Sequence, residues 1–367
     1  MNDNGLTFAA STVRGALTAT ATAGDITDSG ALAVTGSSTF TAADGQSATL
    51  NNSNNFDGTV TFVAAASGNL KNVTITDTTA LDLGALTLAQ VAGAGGNLTV
   101  TTGGALTDSG ALVIPGTTTI TATGQVVELD HTSNNFATIL FGSSSNAVSS
   151  VEVVDTNAIV IGASKSTGNF TVTAGGDVTD SGTVTVGGNL SVTTSASDGL
   201  INMGTLEVDG TIALDTNGNG AATVVNDAGI EFAASTVRGA LTATATTGNI
   251  TQGAAVAVTG TSSFTTSESN GTITLSNTGN AFASAVTLST TGSTAHATID
   301  NGTTTLDIAA SSVGGNLTLT SGAATDGSNY AIMDSGTVTV GGNLIATTNA
   351  NSGVINMGTL AVTGTIT

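Results

Sequence analysis

The chain has 367 residues, with 49 glycines, one proline, no tryptophan, no cysteine, 3% aromatic and only 8% charged residues. Ordinary globular domains carry about 25% charged residues and build their cores on larger side chains, so this composition argues against two or three conventional domains. The formal net charge is −21, and Arg14, Lys71, Lys165 and Arg238 are the only basic residues apart from two histidines, which excludes nucleic acid as a partner and disfavours anionic membrane surfaces. No window approaches 18 consecutive apolar residues, so no membrane span is expected. Disulfides and thiolate metal sites are excluded by the lack of cysteine. The 39% of hydrophobic residues recur at period two, which argues against disorder.

The chain opens with MNDNGLTFAAS, which has neither the basic nor the apolar stretch of a signal peptide. Both this opening and the closing AVTGTIT fall inside a repeat pattern, so the chain reads as a segment of a longer repeat protein. From Gly15, GALTATATAGDITDSG alternates small apolar residues with Thr and ends on a corner at Asp28, Ser29 and Gly30. A strand SSTFTA (37–42), an Asn-rich corner LNNSNNF ending at Phe56, and LDLGALTL (81–88) follow.

The plainest coil runs from Gly95 to Gly116. Leu98 and Val100 alternate with Thr99 and Thr101, the pattern of a strand with one buried face. Gly103 and Gly104 break it, Leu106 leads to the turn residues Asp108, Ser109 and Gly110, and Leu112 and Ile114 form a third side that Pro115 and Gly116 are expected to close. The same string returns at Gly168, Gly188, Gly239, Gly315 and Gly342. Three short strands and three corners predict a triangular coil of about 20 residues, and hence about 17 or 18 coils. In the copies at Gly168 and Gly188 the phase predicts that Phe170, Val172, Leu190 and Val192 point inward and Thr193 outward.

A longer period lies over the coil. The DSG corner stands at Asp28, Asp108, Asp180 and Asp334, with Gln252 in the equivalent slot, so successive corners lie 80, 72, 72 and 82 residues apart. The closest internal copies are GLTFAASTVRGALTATATAGDIT (5–27) and GIEFAASTVRGALTATATTGNIT (229–251). The predicted fold is all-β: a single continuous right-handed parallel β-helix, or β-solenoid, over residues 1–367, its coils grouped in units of 72–82 residues.

The GNLTVTAGG-like, DSGxLTVTG-like and NxxNxF strings resemble the repeat arrays of large bacterial exoproteins of the filamentous haemagglutinin type. That resemblance implies a secreted or cell-surface shaft, export through an outer-membrane transporter by a two-partner or autotransporter route, and adhesion to host-cell, bacterial or matrix surface components, whether glycan or protein. The exposed strand edges of terminal coils further predict end-to-end self-association of the isolated chain. A pure spacer is one alternative. The other is a carbohydrate-active β-helix enzyme, a polysaccharide lyase or hydrolase.

The residues assign no catalytic, cofactor-binding or metal site. The DSG aspartates invite a calcium reading, but copies three or four coils apart would lie about 14–19 Å apart, whereas a cation needs six to eight oxygens within about 2.6 Å. Turn capping is the expected role. Asn97, Asn169, Asn189, Asn316 and Asn343 suit the left-handed geometry of the GN corners, and where coils are adjacent, as at Asn169 and Asn189, their amides are expected to stack. The best acid–base sets for an enzyme are Asp177 with Asp180, and Glu128 with Asp130 beside His131; His296 stands in a polar stretch. Pairs such as Thr99 and Thr101 raise an ice-binding array, which the longer units are expected to interrupt.

Overall fold

The computed structural model describes residues 4–91, 93–324 and 330–367. They group into two compact units, Met1–Gly187 and Gly188–Thr367. Each is built of short parallel strands stacked in turns of about 22 residues, about 16 turns in all, with almost no helix. Among the described residues no helix is long and apolar enough to cross a membrane.

In the first unit one ladder rises through Leu6, Ile26, Ala48, Val73, Leu98, Thr118 and Ile139, each paired with the next. A second rises through Leu81, Leu106, Val127, Val151 and Phe170. The second unit repeats the scheme through Ile230, Ile250, Ile273, Ala297, Leu317 and Leu344. Alternation of residue type is what selects this arrangement. A strand whose every second side chain is Val, Leu, Ile, Ala or Phe can bury one face only by stacking on like strands, and each Val or Leu so buried contributes about 1.5–3 kcal/mol. Phe170, Val172, Leu190 and Val192 are fully buried and Thr193 is not, as the phase predicts. Within the core, Phe40 packs against Phe8, Phe56 and Phe62, and Phe264 against Phe232 and Phe282, with ring centroids 5.5–6.2 Å apart.

One departure from the expected coil has a local cause. The turn is longer than 20 residues because corners carry insertions, among them the 3-10 turn Ala65–Ser67 and the antiparallel pair Gln90–Val91 with Ala94–Gly95, which lowers the expected 17 or 18 coils to about 16. Pro115 and Gly116 stand where a corner is expected, inside one assigned strand, Leu112–Thr121: Leu112 pairs with Leu86 and Thr118 with Leu98, residues of two separate strands of the preceding turn, the register shifts between Ile114 and Thr117, and the Gly116 N–H donates to the Gly96 carbonyl at 3.0 Å. At the Gly175 corner, successive turns approach so closely that a Cβ would strike the Thr156 carbonyl, so only glycine fits.

Candidate functional site

The most elaborate side-chain chemistry lies in the corner that begins with DSG. Asp28 accepts hydrogen bonds from the N–H groups of Asn51 (3.0 Å) and Asn52 (3.1 Å) one turn on, and from Asn54 Nδ2 (2.9 Å). Asn54 is fully buried; its Oδ1 accepts from Leu32 N–H (2.8 Å) and its Nδ2 also donates to the Leu50 carbonyl (3.1 Å). One turn further, buried Asp77 accepts from Phe56 N–H (2.8 Å) and Thr79 N–H (2.7 Å). The next repeat copies the central contacts of this set. Asn134 Nδ2 donates to Asp108 (2.6 Å), Asn134 Oδ1 accepts from Leu112 N–H (2.8 Å), and Asp155 accepts from Phe136 N–H (2.5 Å) and Asn157 N–H (2.7 Å). Burial pushes the carboxyls of Asp77, Asp108 and Asp155 above the ordinary value, the hydrogen bonds acting against it.

The second unit fills the same positions with amides. Gln252 takes the place of Asp108: its Oε1 accepts from Asn280 Nδ2 (2.9 Å) and its Nε2 donates to Asn280 Oδ1 (2.8 Å), which also accepts from Val256 N–H (2.9 Å). Asn301 takes the place of Asp155 and accepts from Phe282 N–H at 2.7 Å. A simpler corner occurs where NMGTLxV replaces NxF. There Val208 N–H donates to buried Asn226 (2.8 Å), and Asp334 accepts from Gly358 N–H (2.7 Å) and Thr359 N–H (2.8 Å). The DSG aspartates seen in this detail therefore cap turns, as expected. Among the described residues no group of three or more His, Cys, Asp or Glu side chains is placed to hold a metal ion.

At the GN corners Asn97, Asn189, Asn316 and Asn343 each aim Oδ1 at a backbone N–H one turn on, that of Thr117, Thr211, Asn343 and Thr365, at 2.8–2.9 Å. His296 fills one such place, its Nδ1 accepting from Asn316 N–H at 2.8 Å, a role only the neutral imidazole can fill.

Of the residues weighed for catalysis, Asp177 directly precedes the short strand Val178–Asp180 and Asp180 ends it. His131 lies in the Asn-rich corner, its N–H 3.4 Å from Asp108 and its Nδ1 accepting from Ser133 N–H (3.2 Å). Glu128 points outward in register with Glu152, a carboxylate pair on neighbouring turns that spacing along the chain could not reveal. Both are exposed. The second unit has a shallow depression of about 310 Å³ between turns, lined in part by Asp209, Glu231, Asn249 and Thr251. Partial burial, then the nearby carboxylates of Glu207 and Asp209, push Asp227 up.

Outward hydroxyls form short ranks. Thr74 and Thr76, Thr99 and Thr101, and Thr119 and Thr121 stack in register on three consecutive turns, with Thr49 beneath Thr74. In the second unit Thr242 and Thr244, Ser263 and Thr265, and Thr287 and Ser289 do the same. The first rank ends after three turns, where Thr119 pairs with Leu140, an interruption of the kind expected of the longer units.

No curated protein and no solved structure shows a significant match to the chain. A family described as repeats of unknown function (DUF5649) matches four times, over residues 1–63, 70–141, 148–219 and 219–289. Each segment contains one corner of the DSG type, at Asp28, Asp108, Asp180 or Gln252, and the copy around Asp334 lies beyond them. With its stacked turns and four matched segments, the chain belongs to this family of repeats.

Proposed function

We propose that the chain is the adhesive shaft of a bacterial exoprotein, exported through an outer-membrane transporter and displayed at the cell surface or released. One observation carries this reading. The buried polar side chains of the corners are engaged with the chain's own backbone one turn away, whereas uncharged hydroxyls stand in outward ranks on neighbouring strands. Interior chemistry of that kind makes a rod cohere. Exterior hydroxyls in ranks offer many weak, equivalent hydrogen bonds to a glycan or protein surface, which suits multivalent attachment.

Beads coated with the protein test this by attachment to cultured epithelial cells, bacteria and matrix-coated glass. The protein should attach, and Thr74→Lys, Thr99→Lys and Thr119→Lys together should reduce attachment severalfold while leaving the circular-dichroism spectrum unchanged. Absence of attachment by the parent protein would leave a pure spacer. Release of reducing sugar from a polysaccharide would replace the shaft with an enzyme.

A further inference from the structure

Four Asn-Gly steps lie in corners of the second unit: Asn217–Gly218, Asn219–Gly220, Asn270–Gly271 and Asn301–Gly302. Such a step is where a backbone nitrogen most readily attacks the side chain before it, because glycine puts no Cβ in the way. The folded corners treat the four very differently. At Asn217 the Gly218 N–H points at that asparagine's own Oδ1, 2.9 Å away, and both residues are exposed. We propose that Asn217 is a site of spontaneous deamidation, converted by water into aspartyl and isoaspartyl residues while the other three asparagines stay intact.

Geometry selects Asn217. The atom to be attacked, Cγ, is one bond beyond the oxygen that the Gly218 N–H already reaches, so the reacting pair sits close to the ~3–3.5 Å of near-attack geometry. Gly218 holds φ at +63°, a conformation that favours glycine, the residue whose nitrogen is least shielded. At the other three steps the glycine N–H is committed to another acceptor and the asparagine side chain is bonded elsewhere. Gly220 N–H donates to the Asn217 carbonyl (2.9 Å), while Asn219 Nδ2 donates to Asp198 (3.1 Å). Gly271 N–H donates to the Glu268 carbonyl (3.1 Å), and Asn270 Oδ1 accepts from Thr294 N–H (3.1 Å). Gly302 N–H donates to the Asp300 carboxylate (2.9 Å), and Asn301 is fully buried with its Nδ2 tied to the carbonyls of Phe282, Thr304 and Thr305.

The reaction balances with water alone. Gly218 N gives its proton to hydroxide and bonds to Cγ; the Cγ–Nδ2 bond breaks, and the nitrogen leaves as ammonia with a proton drawn from water. Water then opens the succinimide, at Cγ to give aspartate or at the main-chain carbonyl to give isoaspartate, which lengthens the main chain by one methylene. Either product lacks the Asn217 Nδ2 donor to the Ser195 carbonyl (3.0 Å) and adds a negative charge to a corner that already holds Asp198 and Asp215. The isoaspartyl form also displaces the Asn217 carbonyl, which accepts the N–H groups of Asp198 (3.1 Å) and Gly220 (2.9 Å). Ties between neighbouring turns are thus lost with age at one fixed place in the second unit.

Peptide mass spectrometry tests this on the intact chain, aged at about pH 8.5 in heavy-oxygen water while its circular-dichroism spectrum stays constant. Asn217 should convert at least ~10-fold faster than Asn219, Asn270 and Asn301, giving a mixture of isoaspartyl and aspartyl products that each carry one heavy oxygen. In guanidinium chloride, where the corners are lost, the four should react within about threefold of one another. Asn217→Ser should remove the fast reaction and leave the other three rates unchanged. Equal rates at the four steps of the folded chain, a faster reaction at one of the other three, or aspartate as the sole product at Asn217 would overturn the proposal.

Discussion

Asp155 in the first unit and Asn301 in the second do the same work on one side and opposite work on the other. Both accept the N–H of a buried phenylalanine one turn below, Phe136 and Phe282 respectively. Beyond that point the chain turns differently. Asp155 can only accept, and the Asn157 N–H is turned inward to meet it; Asn301 also donates, and it is the carbonyls of Thr304 (3.2 Å) and Thr305 (2.8 Å) that turn inward. Asp77 with Thr79 follows the first pattern, and Asn226, donating to the Gly229 carbonyl at 2.7 Å, follows the second. The acceptor chosen for one rung therefore fixes the path of the corner that follows. An Asp-to-Asn exchange, conservative in shape, reverses which backbone groups must face the interior.

The two units share their apolar core, so the harshest substitution should not tell them apart. Val172 and Val192 are both fully buried, and an aspartate at either place is an unpaired charge among aliphatic side chains. Val172→Asp and Val192→Asp should each cost about 4 kcal/mol or more, read from urea unfolding. Thr193→Asp, one residue away and facing out, should cost about 1 kcal/mol or less, although it stands opposite Asp215. A large difference between the two valines would mean that the units do not share one packing scheme.

The middle rung should separate them. Asn134→Leu leaves the Asp108 carboxylate without its 2.6 Å donor and the buried Leu112 N–H without an acceptor. About 3–5 kcal/mol is expected, because the orphaned partner is ionised. Asn280→Leu orphans a neutral amide, Gln252, and the Val256 N–H, and should cost about 2–3 kcal/mol. Local hydrogen exchange is the suitable readout, since long repeat arrays need not unfold in one step. Equal losses would mean that the charge on Asp108 is not held in place by Asn134.

These rungs also mark what could be read before the structure was known. Period-two alternation and recurring glycines were enough to place Leu98, Val100, Phe170 and Val192 inside parallel coils, because a strand's two faces are fixed by chain geometry alone. The DSG corner was visible as a turn. Its partners were not. Asn54 and Asn134 stand 26 residues beyond Asp28 and Asp108, and nothing local to the Asn-rich strings says that the asparagine two residues before the phenylalanine turns inward to meet a carboxylate one turn below. Turn length had the same origin: insertions at Ala65–Ser67 and around Gln90–Gly95 change the separation of stacked residues without changing the pattern on either side. Glu128 and Glu152 likewise become a pair only once that register is known.

The smallest expected effect concerns a feature common to both units. Ser38, Thr118 and Ser262 occupy equivalent inward positions in GSSTF, GTTTI and GTSSF, and their hydroxyls are buried without a hydrogen-bond partner. Thr118 lies between Leu98 and Ile139 in its ladder, and Ser262 between Leu241 and Val286. An unpaired hydroxyl in such surroundings forgoes its hydration with nothing in return, so the isosteric Thr118→Val should stabilise the first unit by about 1 kcal/mol. Ser262→Ala should stabilise the second by somewhat less, since the methyl group fills the same space without adding apolar surface. Both changes act on the shared core and neither touches a corner rung, so they should raise stability equally at pH 7 and at about pH 4. A loss of stability on Thr118→Val would show that its hydroxyl is hydrogen-bonded after all. A gain confined to one pH would tie the hydroxyl to the carboxyl ladder and join two parts of the core that the contacts keep separate.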